Sequence, residues 1–241
     1  MKLYQSASGY RYNSDSLFLY DFILNYANFK GGALLDVGCG CGILGLLLAR
    51  DYSANAKKSF KLSSIDIQPL NIELTTKNAE LNGIKTNAIC ADFIIYAKHL
   101  CKTNEKFDLI ISNPPFYNFG YESANSHKNL SRENKNMHIA SFIKACSSLL
   151  GPCGKLAFCY DARFLDEIIF ALASNKLKLN KLRFIYPKEN KSAKVALFLC
   201  AKSSRSPCEI VPALYATLNA APSYEAQSIY NRASLTSLDY E

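Results

Sequence analysis

Ala33-Leu34-Leu35-Asp36-Val37-Gly38-Cys39-Gly40-Cys41-Gly42-Ile43-Leu44 is the stretch on which the reading of the fold turns. Ala33 to Val37 is a short, nearly continuous apolar run, the pattern of a strand buried on both faces. Ile43 to Arg50 reads as the helix that follows it. Between the two, glycines let the chain turn tightly and let a ligand approach its backbone. The spacing is G-x-G-x-G, with Asp36 two residues before Gly38 and with Gly40 and Gly42 completing the turn. A dinucleotide site would use G-x-G-x-x-G and rest a pyrophosphate on the helix N-terminus. A carboxylate this close repels phosphate and suits a cationic ligand. On the residues alone, a ligand-free turn and a nicotinamide or flavin site remain open.

Working outward, the same alternation of strand and helix continues. Phe60 to Ile67 predicts a second strand and Pro69 to Leu81 a helix, with Pro69 in the first turn and Asn82-Gly83 as its stop. Asn87 to Ala91, Phe107 to Ser112 and Lys155 to Tyr160 are further strands, and Met137 to Leu150 and Ala162 to Ser174 are helices. Leu177 to Tyr186 and Lys194 to Ala201 close the pattern with no helix between them, so they are expected to form an antiparallel hairpin at that edge. The expected class is α/β, a doubly wound and mainly parallel sheet of seven strands covered on both faces. Residues 118–136 read as a long polar loop, and loops of that length are commonly functional. One domain is expected over residues 1–241, with an N-terminal cap segment of about residues 1–30 and a C-terminal extension of about residues 203–241.

Three acids fall at three successive strand ends. Besides Asp36, Asp66 closes the second strand, where a carboxylate can accept from both hydroxyls of a ribose. Asp92 follows the third strand and can accept from an amino group on a planar ring, with Phe93 or Ile67 against that ring. Either acid alone could equally be a helix N-cap. Asn113-Pro114-Pro115-Phe116 follows the fourth strand, on the same edge as the glycine turn. The prolines fix the backbone and remove donors. The Asn113 side-chain oxygen and the Pro114 carbonyl can then accept both N–H bonds of one amino group. Holding those hydrogens out of a ring plane localises the nitrogen lone pair for attack, aided by positioning and by acceptors matched to growing positive charge. Phe116 or Tyr117 can stack on a planar base.

The 241 residues carry 49% apolar and 20% charged side chains, values of an ordinary globular enzyme. No apolar run approaches the roughly 20 residues of a membrane span. Residues 1–16 lack the apolar core of a secretory signal. Nine cysteines without an export signal point to free thiols in a reducing, cytoplasmic setting. Their spacing offers no zinc pattern, so no metal is expected. His127 and His138 read as surface residues. The net charge is +8, and much of it gathers between Lys176 and Arg205: Lys176, Lys178, Lys181, Arg183, Lys188, Lys191, Lys194 and Lys202 stand against the acid Glu189. Such a face suits a polyanion such as RNA or DNA, or is simply solvated.

The glycine turn with its Asp36, together with Asn113-Pro114-Pro115-Phe116, resembles the Rossmann-like class I amino methyltransferases that use S-adenosylmethionine (SAM). A narrower resemblance is to the bacterial tRNA1(Val) (adenine(37)-N6)-methyltransferase family. It rests on Gly9-Tyr10-Arg11-Tyr12-Asn13-Ser14-Asp15 and on Asn113 to Gly120, with the two aromatics of the family's Asn-Pro-Pro-Tyr-Phe swapped. Arg183-Phe184-Ile185-Tyr186-Pro187 and Ser223-Tyr224-Glu225 to Ile229-Tyr230 extend it over nearly the whole chain. The resemblance implies SAM at Asp36, Gly38, Gly40, Gly42, Asp66, Ile67, Asp92, Phe93 and Asn113, and catalysis at Asn113, Pro114, Pro115 and Phe116. It implies a tRNA substrate held by Tyr12, Asp15, Phe116, Tyr117, Arg132, Arg183, Lys188, Lys191 and Lys194. The sequence is silent on oligomeric state, and a monomer is the expectation. Asn136-Met137-His138-Ile139 replaces the family's Ala-Arg-His-Glu-like run, and Phe at position 116 also occurs in guanine-N2 enzymes. Guanine N2 of ribosomal RNA, DNA adenine, a protein glutamine, or a non-catalytic RNA-binding role are the alternatives.

Overall fold

The computed structural model of the chain describes residues 1–6, 11–55, 60–114 and 138–240. At its centre β2 (Gly32–Val37) lies between β5 (Phe107–Ser112) and β3 (Phe60–Asp66), parallel to both. β4 (Thr86–Cys90) continues the parallel run beyond β3, and β6 (Leu150–Asp161) continues it beyond β5. β7 (Leu177–Lys188) and β8 (Val195–Lys202) form the expected antiparallel hairpin, with β8 inserted between β6 and β7. These are the seven strands read from the sequence.

The hairpin is not the edge of the sheet. β10 (Leu214–Leu218) pairs parallel to β7, β11 (Ala221–Pro222) pairs with β10, and the short β9 (Glu209–Ile210) pairs with β7. Among the described residues the full sheet has ten strands. These additions come from the C-terminal residues, where two-residue strands carry too little periodicity to be read.

Helices α1 (Ser14–Tyr26), α2 (Ile43–Asn55) and α3 (Pro69–Leu81) alternate with the first strands. α4 (Phe93–Thr103), α5 (Ile139–Leu149) and α6 (Leu165–Ser174) pack side by side. Because parallel crossovers are right-handed, reversing the strand order after β4 places these last three on the opposite face. α4 has no counterpart in the sequence reading; it begins where Asp92 accepts the Ile95 N–H. A row of rings, Phe93, Phe142, Phe158 and Phe198, runs from α4 through α5 into β6 and β8, with centroids 5.9, 5.8 and 4.8 Å apart.

The chain's two ends are tied to this body and to each other. α7 (Tyr224–Ala233) starts at Ser223, whose hydroxyl accepts the Ala226 N–H. Arg50 of α2 donates to the Ala233 carbonyl, a cation at a helix C-terminus, and Arg232 pairs with the buried Asp21 of α1. β12 (Thr236–Tyr240) then lies parallel to β1 (Lys2–Ser6) in a separate two-stranded sheet. Asn78 of α3 holds that small sheet down, accepting from Tyr4 N and donating to Tyr4 O. Among the described residues no helix is long and apolar enough to cross a membrane.

Candidate active site

The glycine turn leaves the carboxyl end of β2 with Gly38, Gly40 and Gly42 at φ of 68°, 57° and 82°. Side-chain-bearing residues resist these values. A Cβ built on Gly38 or Gly40 would meet nothing within 4 Å. The glycines there keep an open space beside the backbone, which is what a bound ligand requires. Gly45 serves a different need: a Cβ there would sit 2.8 Å from Asp36 Oδ2. Its absence lets the Gly45 N–H donate to that oxygen at 2.9 Å.

Asp36 is therefore buried and already holds the start of α2. Burial pushes its carboxyl up to about 7, the Asp66 charge adds to the rise, and the Gly45 N–H works against it. Asp66, at the end of β3, accepts from Gly40 N at 3.0 Å and from Gln68 N at 2.9 Å. It braces the turn from the neighbouring strand end, the place where a carboxylate can meet ribose hydroxyls. Thr75 of α3 donates to the Gly40 carbonyl and Asn78 to the Cys41 carbonyl, both at 2.9 Å. Ser112 ties the end of β5 to the Val37 carbonyl at 2.7 Å. Sequence reasoning missed these three supports, because a lone Thr, Asn or Ser in a helix or strand carries no signal of what it will face.

Asn113 follows β5 and lines the same cleft as Tyr12, Ser16, Asp36, Gly38, Gly40 and Leu44. Its amide donates to Ser16 Oγ at 2.7 Å and its oxygen accepts the Cys159 thiol at 2.6 Å. Burial keeps that thiol protonated, so it remains a donor. One lone pair of the Asn113 oxygen is left for a second donor. Pro114, next in the chain, is buried. Pro115, Phe116, Tyr117 and Arg132 lie outside the described residues. Ser16 and Cys159 are further residues the sequence did not announce; they come from α1 and β6 and meet only at this point.

The other expected contacts divide. Tyr12 lines the cleft, its hydroxyl 3.1 Å from Ser237 Oγ. Asp15 is buried in the first turn of α1, where Asn13 and not Asp15 supplies the N-cap. Ile67 is 45% exposed beside Asp66, so it can face a planar ring. Phe93 is buried, its ring tilted against Phe142. Asp92 spends one carboxylate oxygen on the cap of α4. Arg183 is a correction: it is only 4% exposed, pairs with Glu225 and donates to the Pro212 carbonyl. Its alternation within β7 turns it inward, where it pins α7, and it is not available to a substrate.

Lys188, Lys191 and Lys194 are exposed. Val195 pairs with Asp161 at the carboxyl end of β6, so the turn between β7 and β8 lies on the same rim of the sheet as Asn113. The remaining basic residues of this stretch go elsewhere. Lys181 pairs with Glu209, Lys202 donates to the Ser147 and Leu150 carbonyls, and Lys176, Lys178 and Arg205 sit at the opposite end.

A family model described as methyltransferase small domain matches residues 14–163. The chain belongs to the methyltransferase small domain family. It is 26% identical over 162 residues to a tRNA1(Val) (adenine(37)-N6)-methyltransferase of Porphyromonas gingivalis. That match covers 65% of this chain and 62% of the relative, so the chain spans less than two thirds of the relative's length. A predicted O-methyltransferase from Agrobacterium tumefaciens superposes with a TM-score of 0.66 at 18% identity, covering 93% of this chain and 99% of that one. A 16S rRNA N2 G1207 methyltransferase from T. thermophilus, solved with AdoMet and guanosine, superposes with a TM-score of 0.56 at 18% identity over 81% of this chain and 45% of that one. The fold is the Rossmann-like class I methyltransferase fold. The site fits SAM: the open space at Gly38 and Gly40 admits the ligand beside the backbone, Asp66 can take ribose hydroxyls, and Asp36 offers a buried carboxyl to a cation.

Proposed function

We propose that the protein transfers a methyl group from SAM to the N6 amino group of an adenine in tRNA, at position 37 of a valine tRNA. The observation that carries this reading is Asn113, held by Ser16 and Cys159 in the wall of the cleft that also contains the glycine turn. SAM, when bound, supplies a methyl group carried on a positively charged sulfur. Asp36, Gly38, Gly40 and Asp66 would hold it. Asn113 Oδ1 and the Pro114 carbonyl accept the two hydrogens of the target amine. That draws the nitrogen lone pair out of conjugation and aims it into the cleft. Acceptor oxygens favour the positive charge that grows on nitrogen, and the methylated ammonium then loses a proton to solvent without a strong base. The relatives named for adenine N6 and the three lysines on the rim support a tRNA substrate, and the relatives' names favour adenine over the guanine reading.

The test is transfer of radiolabelled methyl from SAM to total tRNA from a strain lacking the gene, followed by nucleoside analysis. N6-methyladenosine at one site of a valine tRNA is the expected product. Label appearing as N2-methylguanosine, or only in ribosomal RNA, DNA or protein, would overturn the reading.

A further inference from the structure

Tyr186 of β7 and Tyr215 of β10 are register partners, and their rings stack with centroids 5.2 Å apart and planes 28° from parallel. Tyr215 is 38% exposed. Neither ring belongs to the glycine turn or the Asn113 cleft. Two residues further along the same strands, Thr217 pairs with Lys188 and its hydroxyl donates to the Pro187 carbonyl at 2.7 Å. That bond fixes the strand ends, so the rings stand on a rigid base. Beyond β10, the Ser223 N–H donates to the Ala216 carbonyl. The next residue, Tyr224, is 93% exposed, a ring left in water at the start of α7. Lys188, Lys191 and Lys194 are on the same rim, and the acid between them is the exposed Glu189.

An apolar ring in solvent has a cost unless it has something to cover it, and rings beside lysines match one chemistry well. Bases stack on the aromatic faces while the lysines meet the phosphates. From β5 to β7 there are three strand spacings, about 14 Å at roughly 4.8 Å each. A stacked single strand covers that distance in about four nucleotides at roughly 3.4 Å per nucleotide.

We propose that Tyr186 and Tyr215, flanked by Lys188, Lys191 and Lys194, form a stacking platform for single-stranded RNA. It would bind nucleotides a few positions from the one whose base enters the Asn113 cleft. This deepens the proposed RNA substrate and rests on that reading for its role in turnover, though not for binding itself.

The experiment measures binding of the whole protein to a short fluorescent single-stranded RNA, alongside methyl transfer to tRNA. Tyr215→Ala is expected to weaken the RNA oligonucleotide about fivefold or more, while Tyr215→Phe binds like the wild type. With tRNA, Tyr215→Ala should raise KM and leave kcat and SAM affinity unchanged. Equal oligonucleotide binding by wild type and Tyr215→Ala would overturn the platform, as would a loss in Tyr215→Phe equal to that in Tyr215→Ala. A Tyr215→Ala variant that changes only self-association in sedimentation would overturn it in favour of a contact between copies. If the wild type methylates no tRNA yet binds the oligonucleotide through Tyr215, the proposed function falls and the platform stands.

Discussion

The parallel half of the sheet and its C-terminal edge use their charged residues in opposite ways. Around the glycine turn the charges are buried and brace the backbone: Asp36, in the wall of the cleft, accepts the Gly45 N–H at the start of α2, and Asp66 accepts the Gly40 N–H of the turn. At the C-terminal edge the charges are many and mostly lysine or arginine, but several are consumed by the fold. Arg183 pins α7, Lys181 meets Glu209, and Lys202 holds the carbonyls at the end of α5 and the start of β6. Of the basic stretch, Lys188, Lys191 and Lys194 reach the rim of the sheet that carries Asn113. Charge density along a sequence therefore overstates the charge offered to a partner, because strand alternation sends every second side chain inward.

The comparison can be broken most sharply at Asn113. Asn113→Ala is expected to lower kcat about a thousandfold, with SAM affinity within a few-fold, as measured by steady-state methyl transfer and calorimetry. Retained turnover would remove the amine-acceptor role. Arg183→Ala tests the opposite assignment, structure without chemistry. Losing a buried cation partnered by a half-exposed Glu225 should lower stability by about 2 kcal/mol in urea unfolding, the low end for such pairs. tRNA binding by the folded fraction should not change; a selective loss of tRNA binding would return Arg183 to the substrate surface.

Asp36 sharpens the other side. Its carboxyl sits near 7, and a cationic ligand favours the ionised form, so SAM affinity should rise as pH goes from 6 to 8 and level off above. Asp36→Asn should weaken SAM about tenfold at pH 8 and flatten that profile. The stability sign is the reverse. A carboxyl whose folded value is raised disfavours the fold as pH rises from the unfolded value, near 4, towards 7. The Asn variant without ligand should therefore melt higher than wild type at pH 8. A pH-independent SAM affinity would separate Asp36 from the cation.

The smallest effects distinguish the two ends of the basic stretch. Replacing Lys188, Lys191 and Lys194 together by Gln should raise KM for tRNA about fivefold and reduce its salt dependence. The same change at Lys176, Lys178 and Arg205 should stay within about twofold. Equal effects at both ends would mean that the whole face binds the substrate.

Much of this architecture was legible because it depends on local pattern. The seven strands β2 to β8 show apolar runs of ordinary strand length, and α3 is bounded by Pro69 and by Asn82-Gly83. α4 is not legible in the same way: its cap, Asp92, suits a ligand contact as well as a helix start, and only the Ile95 N–H bond decides for the helix. The edge strands β9 and β11 are too short for any period to show.

The order of strands β2 to β8 along the chain and the glycine turn followed from the sequence alone, since each is set by local pattern and by the conformational limits of neighbouring residues. Tertiary structure alone decided that Cys159 and Ser16 hold Asn113, that Arg183 points inward, and that Tyr186 lies on Tyr215. Those pairs are separated by 46, 97, 42 and 29 residues along the chain for Cys159–Asn113, Ser16–Asn113, Arg183–Glu225 and Tyr186–Tyr215 respectively. At such distances sheet order and packing choose partners, and local propensity does not reach.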